Sequence, residues 1–198
     1  MPRCGVHTVS VAAAGRLGTG AGAMEPSLLG GWENFYVITG SSAGGLTGLM
    51  FVVITLIRDV SRVRVHGLRA WVTPTIVHFG AVLSFSAFMS VPHQTVLSLS
   101  LGFGLAGVAG LVYCGVIAAN MRRTNSEYVP VREDWVWNVV VPAVLYAFSI
   151  VAAAMIHRHR AEALYGMGAV ALALLFLGIR NSWDIAVYMT LFHKHESH

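Results

Sequence analysis

Five stretches of mostly apolar residues run along the chain, and the segments between and beyond them hold nearly all of its charge. They cover about 34–57, 71–91, 95–119, 136–156 and 161–179. An apolar run of about 20 residues is the length of a helix that crosses the hydrocarbon core of a bilayer. Lipid offers no partners to backbone N–H and C=O groups, so a spanning segment satisfies them internally, as a helix. The pattern predicts an all-α fold, a polytopic transmembrane helix bundle with five spanning helices. Pro92-His93 leaves only a tight turn between the second and third stretches, and His157-Arg158-His159-Arg160 does the same between the fourth and fifth. Short connections predict that each of these pairs lies antiparallel and side by side.

Composition narrows the class. Of 198 residues, 56% are apolar and only 11% charged. A soluble domain carries roughly 25% charged residues, so this chain cannot coat a globule of its size with a solvated surface. A soluble enzyme, a disordered chain and a nucleic-acid partner are excluded, despite the basic balance. Of the 13 basic residues all but Lys194 are Arg. With abundant Ala, Gly and Val, this points to a bacterial source and hence the cytoplasmic (inner) membrane. The basic residues also set an orientation. Arg58, Arg62, Arg64, Arg69, Arg122, Arg123, Arg132, Arg180 and Lys194 fall on one side of the predicted bundle, with Arg158 and Arg160 on the other, joined by Arg3 and Arg16 if the N-terminal extension is real. Positive charge accumulates on the cytoplasmic side, so the N-terminus is expected outside and the C-terminus in the cytoplasm. Trp71, Trp135, Trp137 and Trp183 would anchor the cytoplasmic interface, and Trp32 and Tyr36 the outer one.

Residues 1–23 fit poorly with the rest: they hold no acidic residue and no long apolar run. They read as a disordered or mis-called N-terminal extension, with Met24 an alternative start and Ala21-Gly22-Ala23 a weaker case for a leader cleavage site. Residues 24–198 then form a single transmembrane domain. Cys4 and Cys114 give neither a disulfide framework nor a zinc spacing.

The first stretch has the most distinctive local pattern. Gly40, Gly44 and Gly48 recur at i+4, with Ser41 and Gly45 as a second small row; Gly102, Ala106 and Gly110 repeat the device in the third stretch. Helices associate in lipid through close backbone approach over small residues. The simplest expectation is a contact between the first and third helices, and the alternative is homo-oligomerisation. On the second helix, Thr75, His78, Ser86 and Ser90 make a polar stripe. An ionisable residue inside a span is costly and is a functional candidate. His78 reads first as a neutral, satisfied core residue, then as part of a proton or ion path, then as a cofactor ligand. Pro142 is expected to kink the fourth helix. Arg180 and Asp184, spaced i, i+4, can pair. Arg180 is expected to end the fifth span at the interface, with residues 185–192 as a separate interfacial helix; the sharper alternative buries the Arg-Asn-Asp cluster against helix one or four.

Two patterns invite over-reading. Gly40-Ser41-Ser42-Ala43-Gly44 matches a nucleophile elbow, but that motif needs a strand-to-helix turn, and here it sits in a continuous span far from any His or Asp. His157 and His159 lie at one end of the bundle, and His193, His195 and His198 at the other, so they cannot share a metal. A bis-histidine haem would need a second deep His beside His78. No catalytic residue, metal site or cofactor is assigned.

The run Asn34-Phe35-Tyr36-Val37-Ile38-Thr39-Gly40 through Leu46-Thr47-Gly48-Leu49-Met50-Phe51-Val52-Val53 resembles a group of small bacterial integral membrane proteins. These open with F-Y, a run of small residues and then G-L-x-F-V. The resemblance extends loosely to Arg-Asn-x-Trp-Asp at 180–184 and brings no site residues with it. The expected function is non-enzymatic: an oligomeric, channel- or transport-like protein, or an accessory subunit of a membrane complex. Its expected partners are the lipid bilayer and a second copy or a complex subunit. The alternative is a membrane-embedded redox or metal- or haem-binding protein using His78.

Overall fold

A computed structural model describes residues 28–60, 65–123 and 132–195. Five helices account for nearly all of them: α1 (Glu33–Val60), α2 (Val65–Met89), α3 (Val96–Arg123), α4 (Arg132–Met155) and α5 (Arg160–His195). No strand occurs among the described residues. α1, α3, α4 and α5 are each long and apolar enough to cross a membrane, and α2 contributes the shorter apolar helix Thr73–Met89. The N-terminal extension, Met24 and residues 61–64 lie outside the described residues.

The helices stand side by side in the order α1, α2, α5, α4, α3. α5 is the central element: 56% of its apolar stretch is buried inside the bundle, against 22% for α1 and for α3. Its small residues admit its neighbours' rings. Gly178 lies against Phe79 of α2, Gly166 against Phe148 of α4, and Gly168 against Trp32 at the start of α1. Two apolar layers are stacked along the bundle. One, at the His93 and His157 end, gathers Leu29, Tyr36, Met89, Leu99, Phe103, Ile156 and Met167. The other gathers Ala43, Met50, Phe79, Val82, Cys114, Tyr146, Leu174 and Ile185.

Several expectations change. The short turn at Pro92 and His93 does not make α2 and α3 a packed pair; they meet only beside the turn, where Phe85 faces Phe103 at 5.5 Å and Phe88 covers Gly102. α3 instead lies along α4. A Cβ at Gly107 would fall 2.7 Å from the Tyr146 carbonyl oxygen, so only Gly lets these two backbones come this close. Two hydroxyls clasp them reciprocally: Ser149 Oγ donates to the Phe103 carbonyl at 2.8 Å, and Ser100 Oγ to the Ala153 carbonyl at 2.9 Å. The turn between α4 and α5 does join a packed pair.

The expected contact between α1 and α3 is replaced by one between α1 and α2. Gly40 faces Ser86, where a Cβ would come within 2.8 Å of the serine Cβ, and Gly44 faces Leu83. Tyr36, expected at the interface, is turned inward and buried beside Phe85 and Phe35. Arg58 and Arg69 lie within α1 and α2, which run on past the predicted loop boundaries.

Pro142 acts differently from a simple kink. Proline has no N–H, so the Asn138 carbonyl four residues earlier loses its α-helical partner. The helix answers one residue upstream with a π-turn over Val136–Val140, in which the Val141 N–H bonds to the Val136 carbonyl. Nor does α5 end at Arg180. It continues unbroken to His195, and Ile185 beyond the charged cluster is buried. Ser182 Oγ bonds back to the Gly178 carbonyl at 2.8 Å, so its hydroxyl is satisfied within the helix.

Candidate functional site

Three places combine polarity with an arrangement that apolar packing alone does not require. The first is mid-bundle. His78, on the inner face of α2, is fully buried, and its Nδ1 lies 3.4 Å from the Tyr146 hydroxyl of α4. Tyr146 reaches it because its ring lies in the space left by Gly110 of α3, where a Cβ would enter the ring. One glycine, one tyrosine and one histidine from three helices thus form a single unit. Among the described residues His78 Nε2 is buried with no hydrogen-bond partner, as is the Tyr36 hydroxyl nearer the His93 end. An unpaired buried polar atom costs on the order of 1–3 kcal/mol, so the polar stripe on α2 is only partly satisfied. Its upper part is better served: Ser86 Oγ lies 3.2 Å from Thr39 Oγ1 of α1, and Ser90 Oγ bonds to the Ser86 carbonyl at 2.9 Å. Val82 separates the two halves.

The second place is the Arg180 end of the α4–α5 seam. Arg180 Nη1 pairs with Asp184 Oδ2 at 3.0 Å on the same helix, and its guanidinium lies 4.1 Å from the Trp137 ring centroid of α4. Beneath them Asn181 and Asn138 are buried, their side chains 3.5 Å apart, while Asn138 Nδ2 donates to the Asp134 carbonyl at 3.1 Å. Glu133 completes a small cleft of about 50 Å³. The π-turn sets this geometry. One extra residue in that turn shifts the helical register at Trp137 and Asn138 within it, where Asn138 meets Asn181 and Trp137 meets the Arg180 guanidinium. The cluster is therefore seated against helix four, but it is not sealed: Asp184 remains half exposed. The helical rise puts Arg180 roughly 30 Å along α5 from Arg160, the thickness of a hydrocarbon core. A bilayer with one headgroup level at Arg160 would put its other headgroup level at the cleft.

The third is the outer face of α1. Gly40 and Gly44 are used against α2, whereas Gly48, Gly45, Ser41 and Ser42 are exposed, and among the described residues nothing beyond the helix's own backbone lies within 4 Å of a Cβ at Gly45 or Gly48. Bulky Val37 and Ile38 stand on one side of this row and Leu49, Phe51 and Val52 on the other. The result is a notch about 10 Å long at the helical rise. α3 has nothing comparable: Leu97, Leu101, Leu105, Val108, Val112 and Val116 give it a continuous bulky outer face. Ala106 is half-buried beside the α3–α4 contact, and Gly102 is taken up by Phe88.

Ser42, centre of the nucleophile-like motif, is exposed on an unbroken helix. Cys114 is buried. Among the described residues no three His, Cys, Asp or Glu side chains gather as metal ligands. His157 and His159 are exposed at the α4–α5 turn, with His159 Nδ1 3.9 Å from Glu162. The side chains of His193, His195 and His198 lie outside the described residues.

The sequence marked neither Tyr146 nor Asn138 as a site residue; Trp137 read only as an interface anchor, and Asn181 only as part of the Arg-Asn-Asp cluster. A signal existed for Asn138, a carboxamide four residues before a mid-span proline. Tyr146 carried none beyond being a hydroxyl inside a span. Family models, curated proteins and solved structures were all compared with the chain, and none matches it.

Proposed function

We propose that this is a multi-pass integral membrane protein without enzymatic activity that works as a subunit of an assembly. That assembly is a channel- or transport-like oligomer of this chain, or a membrane complex to which it is accessory. The notch on α1 carries the reading. A helix face that meets only lipid gains from bulky side chains, as the outer face of α3 illustrates. A row of Ser and Gly of that kind is instead the surface on which a second helix approaches closely in a membrane. The basic residues near this end of the bundle, Arg122, Arg132 and Arg180, support placing it in the cytoplasm and the His93 and His157 turns outside. The Arg-rich composition supports a bacterial inner membrane.

Cysteine cross-linking in native membranes tests the reading. Gly45→Cys or Gly48→Cys is expected to give intermolecular disulfides, and Leu105→Cys on the bulky face of α3 is not. Equal cross-linking from both faces, or none from α1, would remove the basis for an assembly through this helix.

A second reading is a redox or metal- or haem-binding protein. The unpartnered Nε2 of His78 favours it, since that nitrogen is free to act as a ligand. A visible absorption spectrum of protein purified from native membranes decides it: a haem band supports the reading, and a featureless spectrum with no bound transition metal ends it.

A further inference from the structure

The cleft at the Arg180 end joins a polar head to an apolar tail. Its polar part holds one guanidinium, Arg180, and three carboxylates, Glu133, Asp134 and Asp184, over the buried amides of Asn138 and Asn181. Glu133 makes no ion pair among the described residues. Arg180 commits a single nitrogen to Asp184, and a guanidinium has five N–H donors in all. Asn181 is joined to its neighbours by a single long contact of 3.5 Å. Further into the bilayer, the same α4–α5 seam is flanked by Val144 and Phe148 of α4 and Phe176 of α5, each at least half exposed. Phe148 is fixed there by its fit against Gly166. Trp183, 69% exposed at the depth of the cleft, marks the level of the headgroups.

We infer that this seam is a binding site for one phospholipid with a primary-ammonium headgroup. Its phosphate is held by Arg180, its ammonium by Glu133, Asp184 and the Asn181 carboxamide oxygen, and an acyl chain lies along Val144, Phe148 and Phe176. The charges choose the headgroup. An anionic lipid would bring its phosphate to one guanidinium already paired with a carboxylate, in a cleft lined by two more. A zwitterionic headgroup complements both signs. Three N–H donors suit carboxylate and carboxamide acceptors, whereas a quaternary choline has none to offer. The inference rests on the chain crossing a bilayer but not on its working in an assembly, so either can fail alone.

Native mass spectrometry of the full chain in detergent, with dioleoyl phosphatidylethanolamine, phosphatidylcholine and phosphatidylglycerol in equal amounts, tests it. Phosphatidylethanolamine adducts are expected to exceed either of the others by about fivefold, the scale set by two partly exposed charge contacts. Glu133→Gln with Asp184→Asn is expected to abolish that preference, and Arg180→Gln to lower retention of both zwitterionic lipids. Glu133→Gln alone, at an exposed position, is expected to narrow the preference even where the double variant fails to fold. Phosphatidylglycerol retained as well as phosphatidylethanolamine would overturn the inference. So would an unchanged preference in Glu133→Gln.

Discussion

Replacing Gly107 by Ala probes how tightly α3 and α4 are joined. The new Cβ would lie 2.5 Å from Ile150 Cγ1, 2.7 Å from the Tyr146 carbonyl oxygen and 3.2 Å from the Ile150 nitrogen. Ile150 could rotate away, but the carbonyl and the nitrogen belong to the α4 backbone, so relief requires the helices to part by roughly 0.5 Å or more, back to ordinary van der Waals separation. Parting them stretches both clasping hydrogen bonds, Ser149 to the Phe103 carbonyl and Ser100 to the Ala153 carbonyl. Overpacking costs about 1–3 kcal/mol, and interhelical hydrogen bonds in a membrane average about 0.6 kcal/mol each. The expected loss is on the order of 2–4 kcal/mol. Gly115→Ala is the control: it lies on the same helix with nothing within 4 Å of its Cβ. It is expected to be neutral or slightly stabilising, because alanine is the better helix former. The assay is unfolding of purified protein by SDS titration, followed by far-ultraviolet circular dichroism. A Gly107→Ala variant within 0.5 kcal/mol of wild type, well below the roughly 1–3 kcal/mol of overpacking, would refute the reasoning. Equal destabilisation by Gly115→Ala would do the same.

Other expectations follow from the same geometry. Tyr146→Phe removes the only side-chain hydrogen bond of His78 among the described residues and should cost about 1–3 kcal/mol; adding His78→Leu should recover part of that loss, a coupling that a double-mutant cycle in the same titration would measure. Asp184→Asn breaks a partly exposed pair, so folded yield in detergent should fall little, with a stability change within about 1 kcal/mol; a collapse in yield would mean that the pair is held far more tightly than its exposure implies. Gly178→Ala, whose Cβ would come within 2.5 Å of the Phe79 ring, should lower the midpoint of thermal unfolding more than Gly80→Ala, which meets open space.

Hydropathy located all five helices, because lipid demands an apolar run and a helix to satisfy its backbone, but it ended the fifth sixteen residues early, at 179 rather than His195. Which helix lies beside which was not legible. Apolar residues suit lipid and protein neighbours equally, so the choice falls to small residues and hydroxyls, and their spacing names a face without naming its partner. Gly40 shows this: its repeat marked a close contact, but only Ser86 opposite reveals that α2 fills it. Arg180 misled for another reason. A charge after an apolar run reads as the end of a span, whereas here Trp137 and Asn138, brought round by the π-turn before Pro142, give that cluster partners on a continuing helix. His78 was visible as a buried ionisable residue; Tyr146, which reaches it across the bundle through the gap at Gly110, was not.

The central claim, that the chain works in an assembly built on the open face of α1, is tested most directly by its stoichiometry in native-derived nanodiscs, counted by single-molecule photobleaching. The account expects two or more copies per disc for the wild type and a shift to single copies for Gly48→Leu, with the protomer still folded. Single copies of the wild type at every protein density would contradict the oligomer of this chain, and single copies with no other protein retained in the disc would contradict an assembly of either kind.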